Sequence, residues 1–232
     1  MEAAEFDKFA DEYLALHARN LRVSGESPEY FAKAKIEEVL RRWVGSGRAA
    51  PRAVLDFGSG IGAALPPLAR AFPDAALTAL DVSERSLAIS AARFPLLARR
   101  VRYDGEGEFP LRPASFDLVF TACVFHHIDA AAHAGLLSRL RALLAPGGAL
   151  AVFEHNPANP VTRYIVASCP FDENAVLIAP RTLDARLRRA GFANVDIRFT
   201  GFFPHALAAL RPLEPWLCRL PIGAQYYAFA DG

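Results

Sequence analysis

Two carboxylates and a run of glycines carry the most specific chemistry in this 232-residue chain. From Val54 to Gly62 the sequence reads VLDFGSGIG: an apolar strand ends at Asp56, turns through Gly58, Ser59 and Gly60, and opens a helix. Glycines let a ligand come close to the backbone, and the first turn of a helix offers N–H groups that have no intrahelical partner. A second apolar run ends at Asp81, followed by Val82 and a helix-capping Ser83. An acid at this distance beyond the glycines can accept both hydroxyl hydrogens of a ribose. The turn alone fits a dinucleotide, with Ala63 as the third small residue, or a nucleoside bearing a cationic amine and a sulfonium. Asp56 favours the second, because a carboxylate in the turn repels a pyrophosphate and attracts a cation. Asp104 or Glu106, after the third strand, could accept from an adenine amino group.

Three histidines stand where an acceptor would be handled. His126 and His127 follow the fourth strand and His155 follows the fifth. Imidazole titrates near neutral pH and suits a general base for a hydroxyl acceptor. His155 is the expected base, with Glu154 beside it either orienting the ring or ending the strand as a solvated acid. His126 is the second catalytic candidate and otherwise lines the pocket, while His127 is expected to cap the turn from inside. Arg163 and Tyr164 are candidate acceptor contacts, and Tyr13 is placed to close over the site. Leu213, Trp216, Leu217 and Leu220 form a stripe at helical spacing, expected to pack into the core.

The elements that must position these groups alternate regularly. Strand-like runs occur at 53–57, 77–81, 98–103, 116–122, 149–154, 195–202 and 224–230. Helical stretches follow the first and second runs, to Phe72 and Phe94. A fourth-strand helix carries Leu136, Leu140, Leu143 and Leu144 and is expected to stop at Pro146-Gly147-Gly148. Others are expected over 180–190 and from Pro204 to Leu220, broken at Pro212. Strands alternating with helices of this length call for a parallel sheet covered on both faces. Ahead of them lie two amphipathic stretches, one with Phe6, Phe9, Tyr13 and Leu16, the other from Phe31 to Val44. Residues 1–47 therefore read as an N-terminal helical cover and 48–232 as the main domain, with 155–179 as a lid.

Composition narrows the function classes. Lys and Arg number 26 against 25 Asp and Glu, so no bulk electrostatic attraction to nucleic acid or an anionic membrane is expected. The three cysteines match no metal-ligand spacing, and no metal is expected. The start lacks a signal-peptide pattern and no apolar run is long enough to span a membrane, which points to the cytoplasm.

LDFGSGIG, LDVSERSL, SFDLVFTACVFHHI and LLAPGGALAVFEH, in this order, resemble the successive motifs of class I S-adenosylmethionine-dependent methyltransferases, in the small type 11 or type 12 branch. The resemblance covers roughly residues 50–200. It implies a Rossmann-like α/β fold with a seven-stranded, mostly parallel sheet, the last strand entering antiparallel beside the fifth and sixth. By motif match, Asp56 meets the cofactor's amino group, Gly58, Ser59 and Gly60 its methionine part, and Asp81 with Val82 the ribose side. Asp104 and Gly105 match the adenine-side motif, which is one residue longer than usual, and Cys123 lies on the wall at the end of the fourth strand. The Asn/Asp-Pro-Pro-Tyr motif of base methylation is absent. The implied function is methylation of a small molecule by S-adenosylmethionine, giving S-adenosylhomocysteine, with oxygen favoured as acceptor. A nicotinamide-dependent oxidoreductase and a non-catalytic nucleoside-binding module are the alternatives.

Overall fold

Seven strands form one sheet in the order β3-β2-β1-β4-β5-β7-β6 in the computed structural model, which describes residues 25–105 and 112–232. The strands are β1 (Ala53–Phe57), β2 (Ala76–Asp81), β3 (Val101–Gly105), β4 (Phe116–Ala122), β5 (Leu144–His155), β6 (Ala193–Thr200) and β7 (Gln225–Asp231). The first five run parallel, and β7 enters antiparallel between β5 and β6. The first amphipathic stretch with Tyr13, and Glu106, lie outside the described residues.

Side chains alternate across a strand, so each strand feeds two cores. On one face α1 (Pro28–Gly45), α2 (Leu65–Ala71) and α3 (Glu84–Arg93) pack Ile36, Val39, Trp43, Leu68 and Leu87 against Val54, Leu118 and Phe153. On the other, α4 (His133–Leu143) and α6 (Pro180–Arg189) pack Leu137, Leu140, Leu183 and Leu187 against Leu55, Leu150 and Tyr226. Each fully buried leucine of this kind contributes about 1.5–3 kcal/mol by leaving water. The second amphipathic stretch is thus part of the sheet's packing, and Ser27 caps it by accepting from Tyr30 N–H.

Three expectations are corrected. Leu144 is not the end of a helix. It opens β5 and pairs with Phe116, and a register shift between Phe116 and Leu118 absorbs Pro146-Gly147-Gly148. β3 starts at Val101, because Pro95–Leu97 folds as a 3-10 turn. The 155–179 segment holds α5 (Pro160–Ala167), capped by Asn159, and a 3-10 turn over Pro170–Asp172. The stripe near the C-terminus does not enter the core. His205–Leu213 is 3-10 with a non-helical Leu207, only Glu214–Leu217 (α7) is α-helical, and Trp216 is 77% exposed. Helical spacing lost its meaning once Pro212 and Pro215 broke the register.

Candidate active site

The carboxyl ends of β1, β2 and β4 meet at the glycine turn. Gly58 N–H and Ser59 N–H both donate to Leu80 O, which ties the turn to β2. Gly58 has a φ of +70°, and a Cβ there would lie 2.3 Å from Val124 Cγ2, so the position admits no side chain. Gly60 also has positive φ, but a Cβ there would meet nothing within 4 Å: its side faces open space. Beneath it Asp56 is buried, and its Oδ2 has no hydrogen-bond partner among the described residues. Burial and then the nearby Asp81 charge push the Asp56 carboxyl up to about 8. A buried acid with one oxygen unmet is set to receive a cation. Ser59 Oγ and Asp104 Oδ2 are likewise buried with no hydrogen-bond partner among the described residues.

Asp81 is a half-buried cap at the end of β2. Its Oδ2 accepts from Gly60 N–H at 2.7 Å and its Oδ1 from Ser83 N–H at 2.9 Å. A cavity of about 330 Å³ opens beside it, lined by Gly58, Val82, Val124, Ile128, Leu136 and Arg139, among others. Asp104 is held by Arg102 Nε at 2.8 Å at the end of β3, with Gly105 beside it.

A second group of side chains gathers where β4 and β5 end. Cys123 sits at φ +58°, a conformation rare for a residue with a side chain. Lys35 Nζ of α1 is 3.7 Å and Gln225 Nε2 of β7 is 3.6 Å from its sulfur. Burial pushes the thiol up, but Lys35 and His155 beside it more than offset this and bring it down to about 6. The His155 ring lies 5.2 Å from that of His126.

Glu154 does not serve His155. Adjacent strand residues point to opposite faces, and the buried Glu154 instead accepts from His126 Nδ1 at 2.5 Å and from Phe125 N–H at 2.9 Å. His126 is 2% exposed. Burial opposes its charge, yet the Glu154 and Asp172 carboxylates hold it well above the ordinary imidazole value. Burial raises Glu154 in turn, and the His126 ring outweighs that and holds the carboxyl low. His127 is pulled down to about 4 by burial and by the His126 charge. Arg163 and Tyr164 point outward on α5, Tyr164 67% exposed, so they do not join the cluster. Sequence reasoning missed Lys35, Gln225 and Asp172. Their positions depend on which helix and which strand return to this edge, and only the PFDEN run around Asp172 hinted at an acid in the lid.

Comparison with known proteins places this chain in a family. A family model described as "Methyltransferase domain" matches residues 55–150. A trans-aconitate 2-methyltransferase of Methylobacterium nodulans is 35% identical, over 73% of this chain and 67% of the relative. The chain belongs to the class I S-adenosylmethionine-dependent methyltransferases. The corresponding protein of Methylobacterium radiotolerans is 37% identical, over 72% of this methyltransferase and 67% of that relative. The fold agrees with that of an S-adenosylmethionine-dependent methyltransferase from Archaeoglobus fulgidus, at a TM-score of 0.63 and 20% identity over 88% of this chain and 94% of the other. The nicotinamide alternative finds no support in these relationships. The orphaned Asp56 oxygen and the open side of Gly60 fit an amino acid nucleoside with a positive charge. No helix among the described residues is long and apolar enough to cross a membrane.

Proposed function

We propose that this methyltransferase methylates an oxygen atom of a small anionic molecule, with carboxylic acids of the trans-aconitate kind as first candidates. The observation that carries the reading is the Lys35 ammonium, which reaches the carboxyl edge of the sheet at Cys123, beside the glycine turn. The two relatives named above, both trans-aconitate 2-methyltransferases, support it. S-adenosylmethionine, when bound, supplies an electrophilic methyl on a sulfonium, open to in-line displacement. In this proposal Asp56 takes the cofactor's ammonium, and the Gly58-Ser59-Gly60 backbone lies along its methionine part. Asp81 accepts from the ribose, and Val82, Asp104 and Gly105 flank the adenine. Cys123 forms the wall near the methyl, and Lys35 draws the acceptor's charge into line. His155 takes the proton of a hydroxyl acceptor. For a carboxylate, already ionised, it orients the attacking oxygen. His126, fixed by Glu154, supports the His155 ring. Arg163 and Tyr164 reach the acceptor only if α5 turns inward.

The test is turnover with S-adenosylmethionine on parallel sets of carboxylic acids, alcohols and amines, read as S-adenosylhomocysteine formed and as product mass. A product ester that base hydrolyses is the expected result. Methylated amine alone overturns the oxygen reading.

A further inference from the structure

The turn after β4 and the lid bring two histidines and an acid to one point. One ring nitrogen each of His126 and His127 and a carboxylate oxygen of Asp172 all lie within 4.8 Å of one another. Asp172 Oδ1 is 3.5 Å from His126 Nε2 and 3.4 Å from His127 Nε2. These separations are long for hydrogen bonds between such groups, which close at about 2.7–2.9 Å when charged. They match donors around a tetrahedral metal: bonds of about 2.0–2.1 Å put neighbouring donors roughly 3.3–3.4 Å apart. His126 Nε2 is buried, and no hydrogen bond reaches it from the described residues, although its side chain is only 1% exposed. Its other nitrogen is held by Glu154 Oε2 at 2.5 Å. A ring fixed at Nδ1 by a buried carboxylate presents Nε2 in the opposite direction, and a metal that displaces the Nε2 proton meets the arrangement that orients histidine ligands in metal sites. Two carboxylates, Glu154 and Asp172, flank this ring, and a divalent cation balances their charge. The lid segment carrying Asp172 is pinned to the same turn, since Val176 N–H donates to His126 O at 2.8 Å.

We propose that His126, His127 and Asp172 bind a divalent first-row transition metal of the zinc class, with Glu154 orienting His126 and a fourth position left for water or an acceptor oxygen. Nitrogen and oxygen donors in this number suit zinc, cobalt or iron(II) better than magnesium or calcium. The sequence hides the site because Asp172 lies 45 residues beyond His127 and no short spacing marks the set. Binding stands on the geometry alone. A catalytic use, a metal drawing electron density from an acceptor oxygen, rests on the oxygen-acceptor reading above.

Metal binding is measured without turnover, so its failure and that of the acceptor reading are distinguishable. Chelator-treated full-length protein is titrated with Co²⁺ and, in competition, with Zn²⁺. One equivalent of Co²⁺ is expected to give the visible bands of a tetrahedral ion with nitrogen and oxygen donors, displaced by Zn²⁺. His127→Gln and Asp172→Asn, checked for folding by circular dichroism and melting, should weaken binding at least a hundredfold. Glu154→Gln should weaken it roughly tenfold to a hundredfold. If these variants fail to fold, X-ray absorption on the Co²⁺-loaded parent identifies the donors. Absence of stoichiometric binding overturns the proposal. So do folded variants that bind like the parent, and so does a thiolate charge-transfer band, which would place the ion on a cysteine.

Discussion

Asp56 is an unstable choice for a protein without its ligand. Its carboxyl sits near 8 when folded against an ordinary 3.8, raised by burial and by Asp81. The folded state therefore holds a proton that the unfolded chain gives up above about pH 4. The stabilising contribution is whole below that pH and is lost as pH rises toward 8. Asp56→Asn should accordingly raise the melting temperature of the ligand-free protein near pH 8 and leave it little changed near pH 4, as calorimetric scans at the two pH values would show. The same substitution should weaken S-adenosylmethionine roughly tenfold to a hundredfold, since it removes a charge-assisted bond. In the parent, affinity should climb between about pH 6 and 7.5 and binding should release a proton, visible by titration calorimetry in buffers of different ionisation enthalpy. Binding independent of pH, with no proton released, would remove Asp56 from the ammonium site. Cys123 obeys the opposite sign. Lys35 and His155 favour its thiolate against burial and Glu154, so alkylation should be half-maximal near pH 6. Lys35→Met should move that midpoint toward the ordinary 9.

Elements explain why some of this could be read in advance and some could not. The β1 and β2 acids and the glycine turn are consecutive signals in one strand-turn-helix unit, where local spacing fixes geometry; Asp56, Gly60 and Asp81 accordingly converge in the structure. Glu154 meets His126 rather than its chain neighbour His155, because chain adjacency suggests contact whereas a strand sends neighbours to opposite faces. Lys35 and Gln225 reach Cys123 across 88 and 102 residues, and nothing local announces such meetings. The exposed Trp216 stripe failed for a different reason, since prolines reset the helical period. Where geometry is local, predictions are sharp. Gly58→Ala drives a methyl into Val124 at 2.3 Å and forces positive φ on a side chain, so it should destabilise the fold by about 1–3 kcal/mol in urea unfolding. Asp81→Ala loses the caps on Gly60 and Ser83 together with the ribose acceptor. Stability should fall by about 0.5–2 kcal/mol and cofactor affinity tenfold or more, whereas a loss of stability alone would make Asp81 only a cap.

At the scale of the molecule, the antiparallel β7 decides what the lid can do. The chain leaves β5 at His155, and its return through β7 supplies the lid's anchors. Asn156 Nδ2 donates to Gly223 O at 2.8 Å, Thr162 Oγ1 to Ala224 O at 2.8 Å, and Tyr226 OH to Ile178 O at 2.8 Å. Val176 N–H adds a tie to the β4 turn. Both ends of the segment are therefore fixed to the sheet, and only its middle, the outward face of α5 and the turn over Pro170–Asp172, is left to respond to ligand. Closing such a cover excludes water from a sulfonium and aligns an acceptor. The expected pattern in hydrogen exchange is local rather than uniform: S-adenosylhomocysteine with an acceptor should slow exchange over 163–175 while 156–162 and 176–179 stay protected in both states. Thr162→Val removes one anchor and loses about 0.5–1.5 kcal/mol of hydrogen bonding, so it should extend the fast-exchanging region toward Asn156 without touching the β1–β2 turn. Equal exchange across 155–179 in the two states would mean that the segment is a fixed wall, and the acceptor pocket would then have to be complete before the acceptor arrives.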